Sequence, residues 1–273
     1  SSVTSLPQAP TALSAIALNK KKIYTPGVTA SFNAGPVTLS GFALYQFGKI
    51  DYALDNNCDV DIKAFALDLR ADANLGPGKF FIEGLYISGG DNVSNKFESV
   101  TTLSDFNASP GGNSAYNRTG MNILLNNTDA INCAQSLAGS AGTPSSSFGS
   151  TQSGSSSPSN GGRGITHIAA GYKMPLGKQL TGTGNIGWLQ ASQLLKSDEI
   201  GASARKGKGM GTEINAAVDY NIMKGLDVGV AGAYAWLGDF YKPKNSSVNN
   251  PTTGQNKDPD DVYDIHFRLN YAF

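Results

Sequence analysis

The chain has 273 residues, with 21 Lys+Arg against 21 Asp+Glu, and so carries no net charge. Only 15% of its residues are charged, below the roughly 25% of ordinary soluble domains, which excludes a basic, nucleic-acid-binding surface. Its 33 glycines and long Ser/Asn/Gly tracts argue against a helical bundle, no apolar run reaches the roughly 18 residues of a transmembrane helix, and Ser1-Ser2-Val3 opens no signal peptide, so the chain reads as cytosolic or already processed.

In chain order, residues 12–19 alternate weakly and precede Lys20-Lys21-Lys22, which makes them a short candidate strand. Four clearer strands follow at 23–34, 37–51, 59–74 and 79–90, with tight turns at Ala34-Gly35-Pro36 and Leu75-Gly76-Pro77-Gly78. Residues 91–162 form a polar connection too long for a compact soluble domain. Its stretch 130–162 holds no Asp, Glu, Lys or Arg, and 144–162 is nearly all Ser, Gly, Pro and Asn, which predicts loosely packed surface chain.

Strands then resume. Thr166, Ile168, Ala170, Tyr172 and Met174 alternate with His167, Ala169, Gly171 and Lys173. After a turn at 175–178, Leu180, Ile186 and Trp188 return opposite Thr181, Thr183 and Asn185. Ile214, Ala216, Val218, Tyr220 and Ile222 form the apolar face of the next strand, against Glu213, Asn215, Ala217, Asp219 and Asn221. Past Met223-Lys224-Gly225, the residues Leu226, Val228, Val230, Tyr234 and Trp236 oppose Asp227, Gly229, Ala231, Ala233, Ala235 and Asp239. The last strand sets Tyr263, Ile265, Phe267, Leu269, Tyr271 and Phe273 against Asp264, His266, Arg268 and Asn270. This reading predicts nine strands, with 12–19 as a tenth.

Short turns at 34–36, 75–78, 175–178 and 223–225 share one end of the array, whereas the connections at 52–58, 91–162, 196–210 and 240–260 are long and polar. A tight rim opposite a ragged one is the pattern of outer-membrane β-barrels. Aromatic residues near strand ends and small residues on the polar faces point the same way, while the rival, a soluble β-sandwich, would fill its core with large aliphatic side chains. The fold class expected is all-β: an antiparallel transmembrane β-barrel of about nine or ten strands over 1–273, with 91–162 as a long extracellular loop. An open sheet edge is prohibitive in lipid, and bacterial barrels have even strand counts, so either residues 11–19 supply a tenth strand or, as favoured here, further strands or a partner chain complete the wall.

The run Gly211-Thr212-Glu213-Ile214 with Asp219-Tyr220, then Val230-Ala231-Gly232-Ala233-Tyr234 and Leu237-Gly238-Asp239-Phe240, and a last strand ending Leu269-Asn270-Tyr271-Ala272-Phe273 resemble the C-terminal end of porins of the alginate-export type. The hairpin at 35–47 is similar in style to their middle strands. The resemblance implies a channel in the outer membrane of a Gram-negative bacterium, with Phe273 read by the barrel-assembly machinery and more strands than this chain holds. The long uncharged connection departs from the family pattern and leaves the solute open.

Other chemistry is sparse. Residues 201–208 imitate a phosphate loop, but five residues separate Gly201 from Gly207 where the motif needs four, and Gly209 stands where Ser or Thr should follow the lysine. A basic solvated loop that draws anions to a channel mouth fits better. His167 and His266 fall on polar strand faces, which favours lumen lining over a catalytic triad, since a triad needs a nucleophile and a carboxylate in reach. The acidic stretches 55–61 and 257–261 lack EF-hand spacing and read as solvated loop tips. Cys58 and Cys133 are too few and too distant for a zinc site and fit one disulfide or two free thiols. Their placement on the outward rim, an oxidising setting, favours the disulfide.

The polar faces carry the functional expectation. Asp68, Arg70, Asp72, Lys173, Glu213, Asp219, Asp227, Asp239, Asp264, His266 and Arg268 would line a lumen, since Arg or Lys facing lipid would cost about 2–4 kcal/mol at mid-bilayer. A wet lumen of mixed charge suits passive passage of small polar or anionic solutes, with no metal, no cofactor and no catalytic residue. The alternative is a plugged structural or adhesion barrel whose long outward loop binds a partner, and a rim hydrolase is a third reading.

Overall fold

The computed structural model describes residues 18–52, 60–91, 96–100, 121–124, 162–200, 204–244 and 260–271. Along the chain they form β1 (Leu18–Tyr24), β2 (Gly27–Ala34), β3 (Val37–Tyr52), β4 (Val60–Leu75), β5 (Gly78–Ile87), a two-residue β6 (Lys96–Phe97), β7 (Ile165–Pro175), β8 (Leu180–Gln190), a single helical turn α1 (Lys196–Glu199), β9 (Gly209–Met223), β10 (Leu226–Leu237) and β11 (Val262–Tyr271). Cys58, Cys133, Phe273 and residues 12–17 lie outside the described residues.

All long strands belong to one up-and-down antiparallel sheet, in the order β3-β4-β5-β7-β8-β9-β10-β11. β1 and β2 both pair with β3, from Leu18↔Tyr52 to Tyr24↔Phe47 and from Gly27↔Leu44 to Ala34↔Val37. They are two halves of one strand, interrupted at Pro26, which has no N–H to give to the ladder. Counted so, the nine expected strands are present among the described residues, with β6 in addition. β6 adds a short parallel pairing to the start of β4.

The turns fall as expected. β2–β3, β4–β5 and β9–β10 are joined by two-residue connections, each with a glycine in the left-handed region: Gly35 at φ +63°, Gly76 at +58° and Gly225 at +83°. All sit at one end of the sheet, with the 176–179 turn. The connections at the other end are long.

The alternation predicted from sequence is present, but its two faces are used in reverse of a soluble fold. Along β9 the apolar residues Ile214, Val218, Tyr220 and Ile222 are exposed, whereas Glu213 is 0% exposed. On β11, Phe267 is 74% exposed and His266 only 9%. Along β4, Phe65, Leu67 and Leu69 are exposed while Asp68 is buried. A sandwich would bury the apolar face, and here that face is bare. The sheet instead coils about its polar face.

The enclosed apolar residues gather at the ragged end. Met121, Ile123, Leu124, Ile165, Leu189, Ala191, Met210, Ala233, Ala235 and Phe240 form one cluster, and Ala64, Ala66, Leu85, Ile87 and Val100 another. Parts of the long connection 91–162 upstream of the stretch 130–162 are enclosed: Val100 and residues 121–124 are buried on the concave face. They are retained there because the sheet supplies both an apolar bed and a polar partner for their backbone.

Candidate functional site

Register places the polar residues in cross-strand rows on the concave face. One row runs Ser40–Arg70–Glu83–Ala169–Gly187–Glu213–Ala235. Its neighbour towards the tight turns runs Asp72–Phe81–Gly171–Asn185–Asn215–Ala233–Asp264. Side chains two residues apart on a strand share a face, so the alternation written in the sequence becomes a charged lining.

Most of these charges are compensated. Arg70 donates from Nε and Nη2 to Asp72 at 2.8 and 2.9 Å and from Nη1 to Glu83 at 2.8 Å, with Phe81 stacked 4.1 Å from the guanidinium carbon. Arg268 Nε donates to Asp219 at 2.9 Å, and His266 Nδ1 lies 2.8 Å from Asp264. Asn221 Nδ2 donates to Asp227 at 2.6 Å. Glu83 is a lining residue that the sequence reading passed over; its signal was the shared parity with Lys79 and Phe81.

Lys173 stands directly opposite Lys79 on β5. Both are on the concave face, and neither holds an ion pair among the described residues. Like charges across a ladder repel, so this pair leaves uncancelled positive potential near the tight rim. Asp239 does not line the concave face: β10 ends at Leu237, and Asp239 opens a 3-10 turn at 239–241 with its side chain half exposed and paired to Lys242 at 3.3 Å.

His167 is fully buried on β7. Its Nδ1 lies 3.1 Å from the Trp188 carbonyl, which only accepts, so Nδ1 carries the proton and Nε2 is bare, with no partner among the described residues. The residues opposite His266 and Asp264 on β10 are Ala231 and Ala233, so that pair faces no nucleophile across the ladder.

Near the ragged end Glu213 does something the sequence did not signal. Its Oε1 accepts the backbone N–H of Asn122 at 2.6 Å and of Ile123 at 3.1 Å, and its Oε2 that of Leu124 at 2.6 Å. A carboxylate shared by successive amides is a strong, charge-assisted arrangement. Met121 fits beside Gly187: a Cβ on that glycine would lie 2.7 Å from Met121 Sδ and 3.0 Å from His167 Cε1. Asn215 Nδ2 lies 3.7 Å from the same sulfur and 2.8 Å from Asn185 Oδ1.

Above this level one carboxylate staples the connection before β7 to the one between β8 and β9. Asp198, at the end of α1, takes Arg163 Nε at 2.5 Å, Arg163 Nη2 at 2.7 Å and Arg205 Nε at 2.8 Å. Phe240 is buried between the two cations, 3.9 Å from Arg205 and 5.7 Å from Arg163. Burial would raise the Asp198 pKa, but hydrogen bonds and charge from Arg163 and Arg205 outweigh it and hold the carboxyl below its ordinary value. The basic segment that mimics a phosphate loop is thus, from 204 on, part of this staple. Arg163, Asp198 and Arg205 were not singled out in the sequence because they lie on connections, two of them between β8 and β9 and one before β7, where no periodicity groups them.

The outer face carries a separate cavity of about 650 Å³, lined by Val28, Phe32, Leu39, Leu69, Ile82 and Ile168. Its wall is mainly apolar, and Arg70 and Glu83 of the polar row also border it. No protein-family model and no curated protein matches the sequence.

Proposed function

We propose that this chain forms the wall of an outer-membrane channel in a Gram-negative bacterium, for passive passage of small polar or anionic solutes. The observation that carries the reading is the inverted sheet: an apolar convex face left bare and a charged concave face enclosed. In water a bare apolar sheet face is an aggregation hazard; in a bilayer it is the required surface.

The aromatic residues of the convex face support this. Tyr45, Phe65, Tyr86, Trp188, Trp236 and Tyr263 are near the ragged end, and Phe32, Phe80, Tyr172, Tyr220 and Tyr271 near the tight end. Tyr263 and Tyr271 share the outer face of β11. Their separation is about 27 Å along a strand, or about 20 Å of membrane depth at the usual tilt, close to the ~25 Å apolar band of such barrels. The uncancelled Lys79–Lys173 pair favours anionic over cationic solutes. Phe273 would be the signal for barrel assembly, passage needs no cofactor or metal, and additional strands or a partner chain would close the wall.

The test is insertion into a planar bilayer after refolding in detergent. The expected result is a heat-modifiable band on gels and stepwise conductance with a preference for anions. A protein that stays monodisperse without detergent would overturn the reading. The runner-up, a plugged structural or adhesion barrel, is favoured by the filling of the ragged half, and it predicts heat-modifiable mobility without conductance.

A further inference from the structure

We infer that residues 121–124 are a fixed constriction of the lumen and that Glu213 is the residue that sets its width. The inference rests on the channel reading above. Four consecutive residues of a connection lie inside the coiled sheet, with Met121 and Leu124 0% exposed. Backbone amides placed there without acceptors would lose their hydrogen bonds to water with nothing in return. Glu213 removes that cost for Asn122, Ile123 and Leu124 at once. Reciprocally, the amides supply what a buried carboxylate needs, and among the described residues no cation is bonded to Glu213. Each part explains the other's burial.

The surroundings are shaped for the segment. Gly187, next to Glu213 in the register, leaves the space that Met121 Sδ occupies. Asn215 lies against the same sulfur. Ile123 and Leu124 complete the apolar cluster with Leu189, Met210 and Phe240. The segment therefore narrows the ragged half of the concave space, while the half lined by Lys79, Lys173, Asp219 and Arg268 holds no comparable filling among the described residues. A solute passing this level meets Glu213 with both oxygens already taken by amides, so the constriction selects by cross-section rather than by binding to that carboxylate.

The test uses the full chain with Cys58 and Cys133 replaced by Ser and Leu124→Cys as a reporter. A water-soluble maleimide is expected to label the introduced thiol slowly in this background and at least about tenfold faster after Glu213→Ala, with single-channel conductance rising by about twofold or more. Gly187→Ala, which crowds Met121 from the neighbouring strand and leaves the carboxylate in place, should shift both readouts in the same direction, so a Glu213 variant that fails to fold does not end the test. Fast labelling in all proteins overturns the placement of the segment. Released labelling with unchanged conductance overturns the constriction but leaves the channel. Absence of conductance from every variant overturns the channel reading itself.

Discussion

Asp198 shows how one carboxylate can decide the order of a rim. Its side chain and that of Arg163 are 4% and 5% exposed, and removing the charge would leave two guanidinium groups facing each other. Asp198→Asn is expected to cost about 3–5 kcal/mol, read as a lower midpoint of the heat- or urea-induced gel shift. The same group sets an acid limit. Because its folded pKa is below the unfolded one, its contribution is present above the unfolded value near pH 4 and is lost as pH falls through the folded value. Protease sensitivity of the 191–208 connection should therefore rise below about pH 4 and stay flat from pH 5 to 8. Tyr241 gives the opposite sign. Its hydroxyl is buried with no partner among the described residues, and burial pushes its pKa up. Tyr241→Phe should raise stability by about 1 kcal/mol, measured by the same gel shift.

Among the elements, turns and strands depend on glycine for different reasons. Gly225 needs its positive φ, so Gly225→Ala should cost about 1–2 kcal/mol. Gly84 faces open space on the convex side, with nothing within 4 Å of an added Cβ, and Gly84→Ala should be neutral within about 0.5 kcal/mol. Urea titration of both variants in detergent checks the contrast. These elements were legible because a strand with one enclosed face writes itself as alternation, and the Gly/Pro pairs at 35–36 and 76–77 mark where it reverses. The polar faces of β4, β7, β9 and β11 were legible for the same reason, as were Arg70, Glu213 and His266 as members of the lining. Residues 121–124 were not, since what holds them is backbone N–H, which every residue type supplies, and Gly187 acts through the side chain it lacks. Asp239 was misplaced because the alternation of β10 runs on in sequence past Leu237, where the chain has already turned.

Across the molecule the convex face makes the sharpest claim. Val230 is exposed at mid-strand on β10, and Val230→Lys should cost about 2–4 kcal/mol if that face meets lipid and almost nothing if it meets water, as read by folding into vesicles. The two ends of the sheet make another. Counting β1 and β2 as one, the nine strands of the meander leave its first and last strands running in the same direction. Two copies with their tight rims on the same side of the membrane would thus meet at parallel seams, whereas antiparallel closure needs an odd number of added strands. Intact mass of the assembled species from outer membranes, compared with 28.5 kDa, tests this: a larger species or a second piece is expected, and a lone chain of that mass argues against added strands.

The placement of every tight turn on one rim also orders events in time. β2–β3, β4–β5, β7–β8 and β9–β10 are four hairpins whose partners are adjacent in sequence, each able to zip within about 1–10 μs. Joining hairpins means closing longer stretches of chain, at about 0.6 kcal/mol for each doubling. The stretch between β5 and β7 is the longest, from 88 to 164. The β5–β7 seam is therefore the last to form and the slow step of assembly, and pulsed hydrogen exchange during refolding should find the amides of Glu83 and Ala169, which face each other across that seam, protected after those of the four hairpins.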